Sequence, residues 1–447
     1  MKQKSALFRV VRASVLCCFG LATVVSCGGH KAEEGGVEAG EHPVIILAID
    51  GLRADALGCY GAVAATPAFD ALAAESVRFE WAFAQAPQEK PSLAVLLSGL
   101  YPTTNGLREP GDELAEEAET LAEVLGTAGF ASAAFIEGAP GDGDYGLARG
   151  FGSYQTGEKP GDAAAAWMRG HAKENFLLVV AGWSNPALER VRALLADSGQ
   201  PEGLNERVQE VLASRGTDVA QSFSQEDLQW VRAWYAARVQ VIDEGLAAFL
   251  AEFYRLGLDQ RATLVVLGSN GFALQEHGDL FGESLYTPVT RVPMMIRLPG
   301  GANPQVVSKI VEVVDLMPTI LEMTGQAEPQ GVQGRSLVPL LSGAGQPPYV
   351  AFGESPQAGG QRFVVLGGMG LVSGVGGEDA ELYNLMNDPL ELNDLAGTET
   401  DKLEVMVRQL QAWEKLCSVS SLDPNLRTEE NLDEDTLKQL KSLGYIQ

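Results

Sequence analysis

Three short apolar runs each end in side chains able to do chemistry. Val44–Ile49 runs into Asp50-Gly51, Phe176–Val180 leads to Trp183-Ser184-Asn185, and Thr263–Leu267 leads to Gly268-Ser269-Asn270. If these runs are parallel strands of one sheet, their ends share an edge, and open α/β sheets bind ligands beyond the carboxyl ends of their strands. Asp50 and Asn270 offer one charged oxygen and one amide carbonyl, hard donors of the kind calcium or magnesium takes. A single charge is little for such an ion, so the plainer alternative, a capping Asp and an Asn-Gly turn, is the better reading. The chain has four histidines. His30 and His42 lie near the N-terminus and His171 sits in a polar stretch before an apolar run. The fourth, His277, stands in Glu276-His277-Gly278, with a structural role favoured over a catalytic one.

The elements that would carry these residues follow from periodicity. Phe130–Phe135 and Val292–Arg297 join the three runs above as short apolar segments, the pattern of buried parallel strands. Between them, Ala68–Glu75, Thr120–Ala128 and Gln225–Leu256 have helical spacing; the last opens with Ser224 and Asp227 in capping-box spacing and ends near Gly257. Strands alternating with helices predict an α/β domain on a mostly parallel sheet, over residues 43–345. Beyond that the texture changes. Tyr349–Gly353, Arg362–Leu366 and Leu371–Val375 read as short strands, and Asp401–Leu416 and Asp433–Leu443 as helices. They predict a smaller α+β subdomain over 346–447.

At 46% hydrophobic and 20% charged residues, the 447-residue chain has a globular composition. Its net charge is −27, which argues against nucleic acid and against electrostatic docking on anionic lipid. The N-terminus has the basic residues Lys2, Lys4, Arg9 and Arg12, then an apolar stretch, Ala13–Val25, too short to span a bilayer comfortably. It ends in Val24-Val25-Ser26-Cys27, which resembles a bacterial lipobox. That resemblance implies a signal peptide over 1–26, acylation of Cys27 as lipid anchor, and a membrane as partner. Residues 27–42, rich in Gly and Glu, read as a flexible tether. Gly28 and Gly29 after the anchor favour the outer membrane. Only Cys59 and Cys417 remain in the body, and the sequence does not fix whether they pair.

A further resemblance spans roughly residues 43–447. Ile49-Asp50-Gly51-Leu52-Arg53-Ala54-Asp55 with Gly58-Cys59-Tyr60-Gly61 looks like the opening signature of sulfatases. Thr66-Pro67-Ala68-Phe69-Asp70-Ala71-Leu72-Ala73, Val77-Arg78-Phe79 and Lys90-Pro91-Ser92-Leu93-Ala94 follow in family order. Later blocks are Arg149-Gly150-Phe151, Arg291-Val292-Pro293, Asp315-Leu316, and Glu381-Leu382-Tyr383-Asn384-Leu385 with Asp388-Pro389. The resemblance implies the alkaline-phosphatase-like architecture: a large mostly parallel sheet sandwiched by helices, plus the smaller C-terminal α+β subdomain.

It also implies chemistry, and there the chain departs from the pattern. Such a reaction needs a metal on the sulfate oxygens, an in-line nucleophile, cations for developing charge and an acid for the leaving alcohol. Where the family pairs two acids after the first strand, this chain has Asp50 followed by Gly51. The later acid pair reads Ser269-Asn270, and the nucleophile position, before Lys90-Pro91-Ser92, is Glu89. The arginine expected after the proline is Leu93, and two histidine positions fall on Asn105 and near Asn185. A Glu89 carboxylate 4 Å from a sulfate charge would cost about 4 kcal/mol at an effective dielectric near 20. Arg53, Arg108 and Arg291 survive, with ion pairing and loop fixing as the expected role. These departures predict a catalytically degenerate member that binds a glycan or envelope-protein ligand, with no cofactor. The alternatives are an active sulfuric- or phosphoric-ester hydrolase whose rebuilt site holds a divalent cation, and a structural envelope lipoprotein.

Overall fold

The run Val44-Ile45-Ile46-Leu47-Ala48-Ile49 contains no polar side chain and all six residues are buried, which only a strand covered on both faces can satisfy. The computed structural model describes Gly40 and residues 42–443, apart from positions 64, 110, 139–142, 184–187, 197–198, 205–222, 281, 345–348, 357–359 and 429–431. The expected signal peptide, Cys27, nearly all of the tether and Asn185 lie outside the described residues.

Eight strands form a large sheet: β1 (Val44–Ile49), β2 (Val77–Phe83), β3 (Ala131–Glu137), β4 (Ser153–Gly157), β5 (Phe176–Gly182), β6 (Thr263–Gly268), β7 (Arg291–Arg297) and β8 (Gln305–Glu312). Their spatial order is β4-β3-β5-β1-β6-β7-β2-β8. β7 runs antiparallel to both neighbours, and the other pairings are parallel. The five apolar runs correspond to β1, β3, β5, β6 and β7. β2, β4 and β8 have no counterpart among those runs. Alternate residues of β1 enter the cores on opposite faces: Val44, Ile46 and Ala48 join one, Ile45, Leu47 and Ile49 the other. The helix Glu89–Ser98 packs on the first face, and the long helix Gln225–Arg255 on the second. The latter begins in the expected capping box, with Ser224 and Asp227 bonding each other's backbone N–H.

The register brings the chemistry together. Ile49 pairs with Gly182 on one side and with Gly268 on the other. Asp50, Trp183 and Ser269 therefore leave the sheet side by side. One strand further out, Ile136 pairs with Ala181, so Glu137 reaches the same edge.

The C-terminal part carries the smaller sheet, antiparallel, in the order β12-β11-β10-β9, from β9 (Val350–Ser355), β10 (Gln361–Leu366), β11 (Met369–Ser373) and β12 (Glu381–Asn384). Helices Thr400–Ser420 and Glu434–Ser442 complete it. The buried Glu312 carboxylate at the end of β8 accepts from the Tyr101 hydroxyl and from the Phe352 N–H of β9, while the Trp413 indole stacks on Phe352 with centroids 5.2 Å apart.

Two details refine the expectations. His42, placed at the end of the tether, is already tied to the body, its Nε2 lying 2.9 Å from the Thr263 hydroxyl. Cys59 and Cys417 are both free thiols. Among the described residues, no helix is long and apolar enough to cross a membrane.

Candidate functional site

The carboxyl edge of β3, β5, β1 and β6 gathers Glu137, Trp183, Asp50, Ser269 and Asn270. Asp50 is fixed by its own backbone, its N–H donating to the Gly182 carbonyl at 2.7 Å. Its carboxylate is hydrogen-bonded to the Asn270 side chain. Asn270 in turn accepts from the Ser269 hydroxyl at 2.9 Å and donates to the Gly271 carbonyl at 3.2 Å. The two candidate metal ligands are thus brought together, but as partners of each other.

Glu89 enters from the other side as the first residue of the helix Glu89–Ser98. Part of the residue faces solvent, but its Oε1 is fully enclosed and has no hydrogen-bond partner. It lies 3.1 Å from the point a Cβ on Gly182 would occupy, and so does Glu137 Oε2. Burial pushes the Glu89 carboxyl up to about 8, helped by the Asp50 and Glu137 carboxylates and opposed by Lys90. Burial also raises Asp50, against Arg238, Asn270 and the Gly51 N–H. Neighbouring like charges oppose joint ionisation, so Glu89 retains its proton at neutral pH. The helix N-terminus favours an ionised Glu89, but that effect is about 0.3–1 kcal/mol. A rise from 4.5 to about 8 corresponds to about 5 kcal/mol in the other direction.

Sequence reasoning missed two members of this site. Glu137 ends β3, two residues beyond the apolar run. Arg238 comes from the middle of the long helix. It is 3% exposed, and its Nη2 and Nη1 donate to the Asp50 and Gly51 carbonyls at 2.5 and 3.2 Å. The signal was present: Leu228, Val231, Tyr235, Val239 and Ile242 form the buried stripe of this helix, and a charged residue at 238 falls within it.

The remaining candidates stand elsewhere. His277 stacks on Tyr286 with centroids 3.5 Å apart, and its Nε2 lies 3.0 Å from the Leu390 carbonyl. These contacts face the C-terminal part rather than Asp50 or Glu89. Arg53 pairs with Asp55 and Glu276. Arg291 donates to the Glu80 carbonyl and lies over the Trp81 ring, and Arg108 is 3.7 Å from Glu354. Asn105 is fully buried, donating to the Leu100 carbonyl and accepting from the Leu107 N–H. Leu93 is core.

Beside the cluster lies a cavity of about 390 Å³ whose lining includes Glu137, Lys159, Trp183, Arg190, Glu244 and Phe249. Trp183 is held in the left-handed region, φ 56°. Its indole packs so closely on Gly161 and Gly245 that a Cβ there would come within 2.9 and 3.2 Å of the ring.

The donor set does not fit a divalent cation. It offers one carboxylate bonded to an amide, a hydroxyl turned to that amide, and the Glu89 carboxyl, where a hard ion takes six or more oxygens. Among the described residues no group of three or more His, Cys, Asp or Glu side chains is arranged to hold a metal.

Comparison with known proteins gives a consistent picture of the scaffold. The sulfatase family model matches residues 42–326. Arylsulfatase K of Xenopus laevis is 27% identical over 204 residues, 42% of this chain and 38% of that protein. An N-acetylglucosamine-6-O-sulfatase of Bacteroides thetaiotaomicron is 27% identical over 180 residues, 36% of this chain and 31% of that one. The matches thus span less than half the length of these curated relatives. Among solved structures, a protein in complex with its substrate D-glucosamine-2-N,6-O-disulfate superposes with a TM-score of 0.70 at 17% identity, over 87% of this chain and 100% of that one. The phosphonate monoester hydrolase of Agrobacterium radiobacter gives 0.70 at 18%, over 85% and 96%. These structural likenesses concern the fold.

Proposed function

From the premise that this chain belongs to the sulfatase family, we propose that it is a catalytically degenerate member that binds a ligand without turning it over. The observation that carries this reading is Glu89. At the position that the family resemblance gives to the attacking group stands a carboxyl with an enclosed, partnerless oxygen, raised to about 8 by burial among other acids. A protonated carboxyl is a poor nucleophile, and an ionised one repels a sulfate or phosphate ester.

The ligand would be a glycan or an envelope protein, with the cavity beside Trp183 as its seat. An aromatic face among the acids Glu137, Glu158, Asp162 and Glu244, which outnumber the basic Lys159 and Arg190, suits an uncharged sugar or a cationic group better than a polyanion. In this reading a lipidated Cys27 displays the protein at the cell envelope, in the outer membrane.

Glu89 also supports a second reading. A carboxyl titrating near neutrality has the property of a general acid or base, so a rebuilt ester hydrolase is the rival. One experiment separates them: metal content of the purified protein, with turnover of aryl sulfate and aryl phosphate esters, for wild type and Glu89→Ala. The degenerate reading expects no stoichiometric metal and no turnover above background. Turnover that disappears with Glu89→Ala would establish the rival.

A further inference from the structure

The position next to Asp50 holds a feature that the loss of an acid does not by itself explain. Gly51 has φ 62°, and a Cβ built on it would lie 3.4 Å from both Nη1 and Nη2 of Arg238, and 3.4 Å from the Phe272 ring. That is ordinary van der Waals contact, so the carboxylate of an aspartate at 51, reaching beyond its Cβ, would meet the guanidinium and pair with it. That guanidinium is inside the protein, beneath the same loop that carries Asp50. It bonds the Asp50 and Gly51 carbonyls and opposes the burial-driven rise at Asp50 by its charge. Tyr235, one turn earlier on the helix, adds a third tie, donating to the Gly51 carbonyl at 3.0 Å while accepting from the Arg53 N–H at 2.9 Å.

We infer that Arg238 is a built-in cation: its guanidinium takes the seat that a divalent ion and a second carboxylate at position 51 would share, and it ties the Asp50 and Gly51 carbonyls from within the fold. This deepens the non-catalytic reading and rests on it. An arginine stays protonated at every pH a protein survives, and a buried charge persists only with a partner. The Asp50 and Gly51 carbonyls are the partners of this guanidinium, so the loop holds its shape without an exchangeable ion. A glycine at 51 suits this arrangement, since its backbone is left-handed and an acid there would be drawn to the guanidinium rather than to an ion.

The test restores the missing acid and removes the internal cation. Wild type, Arg238→Gln and Arg238→Gln/Gly51→Asp are titrated with calcium and with magnesium by calorimetry, and their unfolding midpoints are measured with and without millimolar calcium. Aspartate is among the residues that tolerate a left-handed backbone. Wild type is expected to show no calcium-dependent shift. The double variant should bind calcium and unfold at a higher temperature with it, since a ligand bound only by the native state stabilises it. The single variant should respond more weakly. If the double variant does not fold unaided, refolding from denaturant with and without calcium replaces the thermal readout, and recovery only with calcium supports the assignment. Two results overturn it: a wild type whose calcium response is abolished by Asp50→Asn, or a double variant no more responsive than wild type in either format. A metal-free wild type with an unresponsive double variant would sink this inference alone. Metal-dependent ester turnover by wild type would sink the non-catalytic reading as well.

Discussion

Replacing Glu89 by glutamine removes a titrating group and keeps its shape, which makes its effect on stability calculable. The carboxyl rises from 4.5 in the unfolded chain to about 8 in the fold. A raised acid contributes no penalty below pH 4.5, where both states are protonated. Its cost grows as pH passes 4.5, because the unfolded chain releases the proton and the folded one keeps it. Growth stops above pH 8, where both have lost it. Linkage gives a slope of about 1.4 kcal/mol per pH unit between these limits, so wild type bears under about 1 kcal/mol at pH 5, about 3 at pH 7 and about 5 at pH 9. The substituted amide has no proton to exchange, so Glu89→Gln should be more stable than wild type by an amount that follows this curve. Urea unfolding of both proteins at pH 5, 7 and 9 measures it. Their difference cancels other raised acids, such as Glu312 and Glu391, which tilt both proteins alike. A gap that stays flat across this range would mean Glu89 is solvated or ionised in the fold, and the enclosed-carboxyl argument would fall.

Two further perturbations probe what positions the site. Asp243 accepts from the Ala68 and Phe69 N–H groups at 3.0 and 2.9 Å, capping the helix Pro67–Ala73 from the long helix. Asp243→Ala leaves these donors unsatisfied and should lower stability by about 1–3 kcal/mol in a denaturant titration; an unchanged midpoint would show that the bonds add nothing. Gly182→Ala places a Cβ 2.3 Å from that of Glu137 at a residue with φ 89°. It should cost at least about 1–3 kcal/mol, readable as a lowered unfolding midpoint; a fully stable variant would mean the edge of β3 and β5 yields to an added methyl.

The parts of the fold that are legible in the sequence are those where burial writes itself as composition. β1, β5 and β6 are covered on both faces and read as apolar runs. The edge strands are different. β4 has no fully buried residue, and β8 exposes much of one side, so neither leaves an apolar run to find. β2 alternates in burial and is interrupted by a register shift, and it stands out only as a motif. The site divides the same way. Asp50 and Asn270 follow directly from strand ends. Glu137 and Arg238 depend on β3 lying beside β5 and on which face the long helix turns inward, which is tertiary information.

The basic side chains at this edge and beyond it bear on which ligands it can take. Arg53 is bonded to Asp55 and Glu276, Arg291 to the Glu80 carbonyl, and Arg190 to Glu244. Arg238 is bonded to the loop of Asp50, and the Lys90 ammonium lies 3.7 Å from the centre of the Tyr145 ring. An incoming sulfate would have to break such contacts before gaining one, at little cost for an exposed pair such as Arg190–Glu244 and at a larger one for the buried Arg53. Meanwhile the Asp50 and Glu137 carboxylates both act on Glu89, and Glu137 also lines the cavity beside Trp183, in a chain of net charge −27. A neutral or positively charged ligand meets none of these costs. It would also lower the Glu89 carboxyl if it placed a cation near Oε1, so the midpoint of the Glu89 titration, followed by NMR, should move downward on adding such a ligand and upward on adding an anion that enters the crevice. An anion that binds there and leaves the midpoint unmoved would show that the carboxyls do not set the charge preference of this cleft.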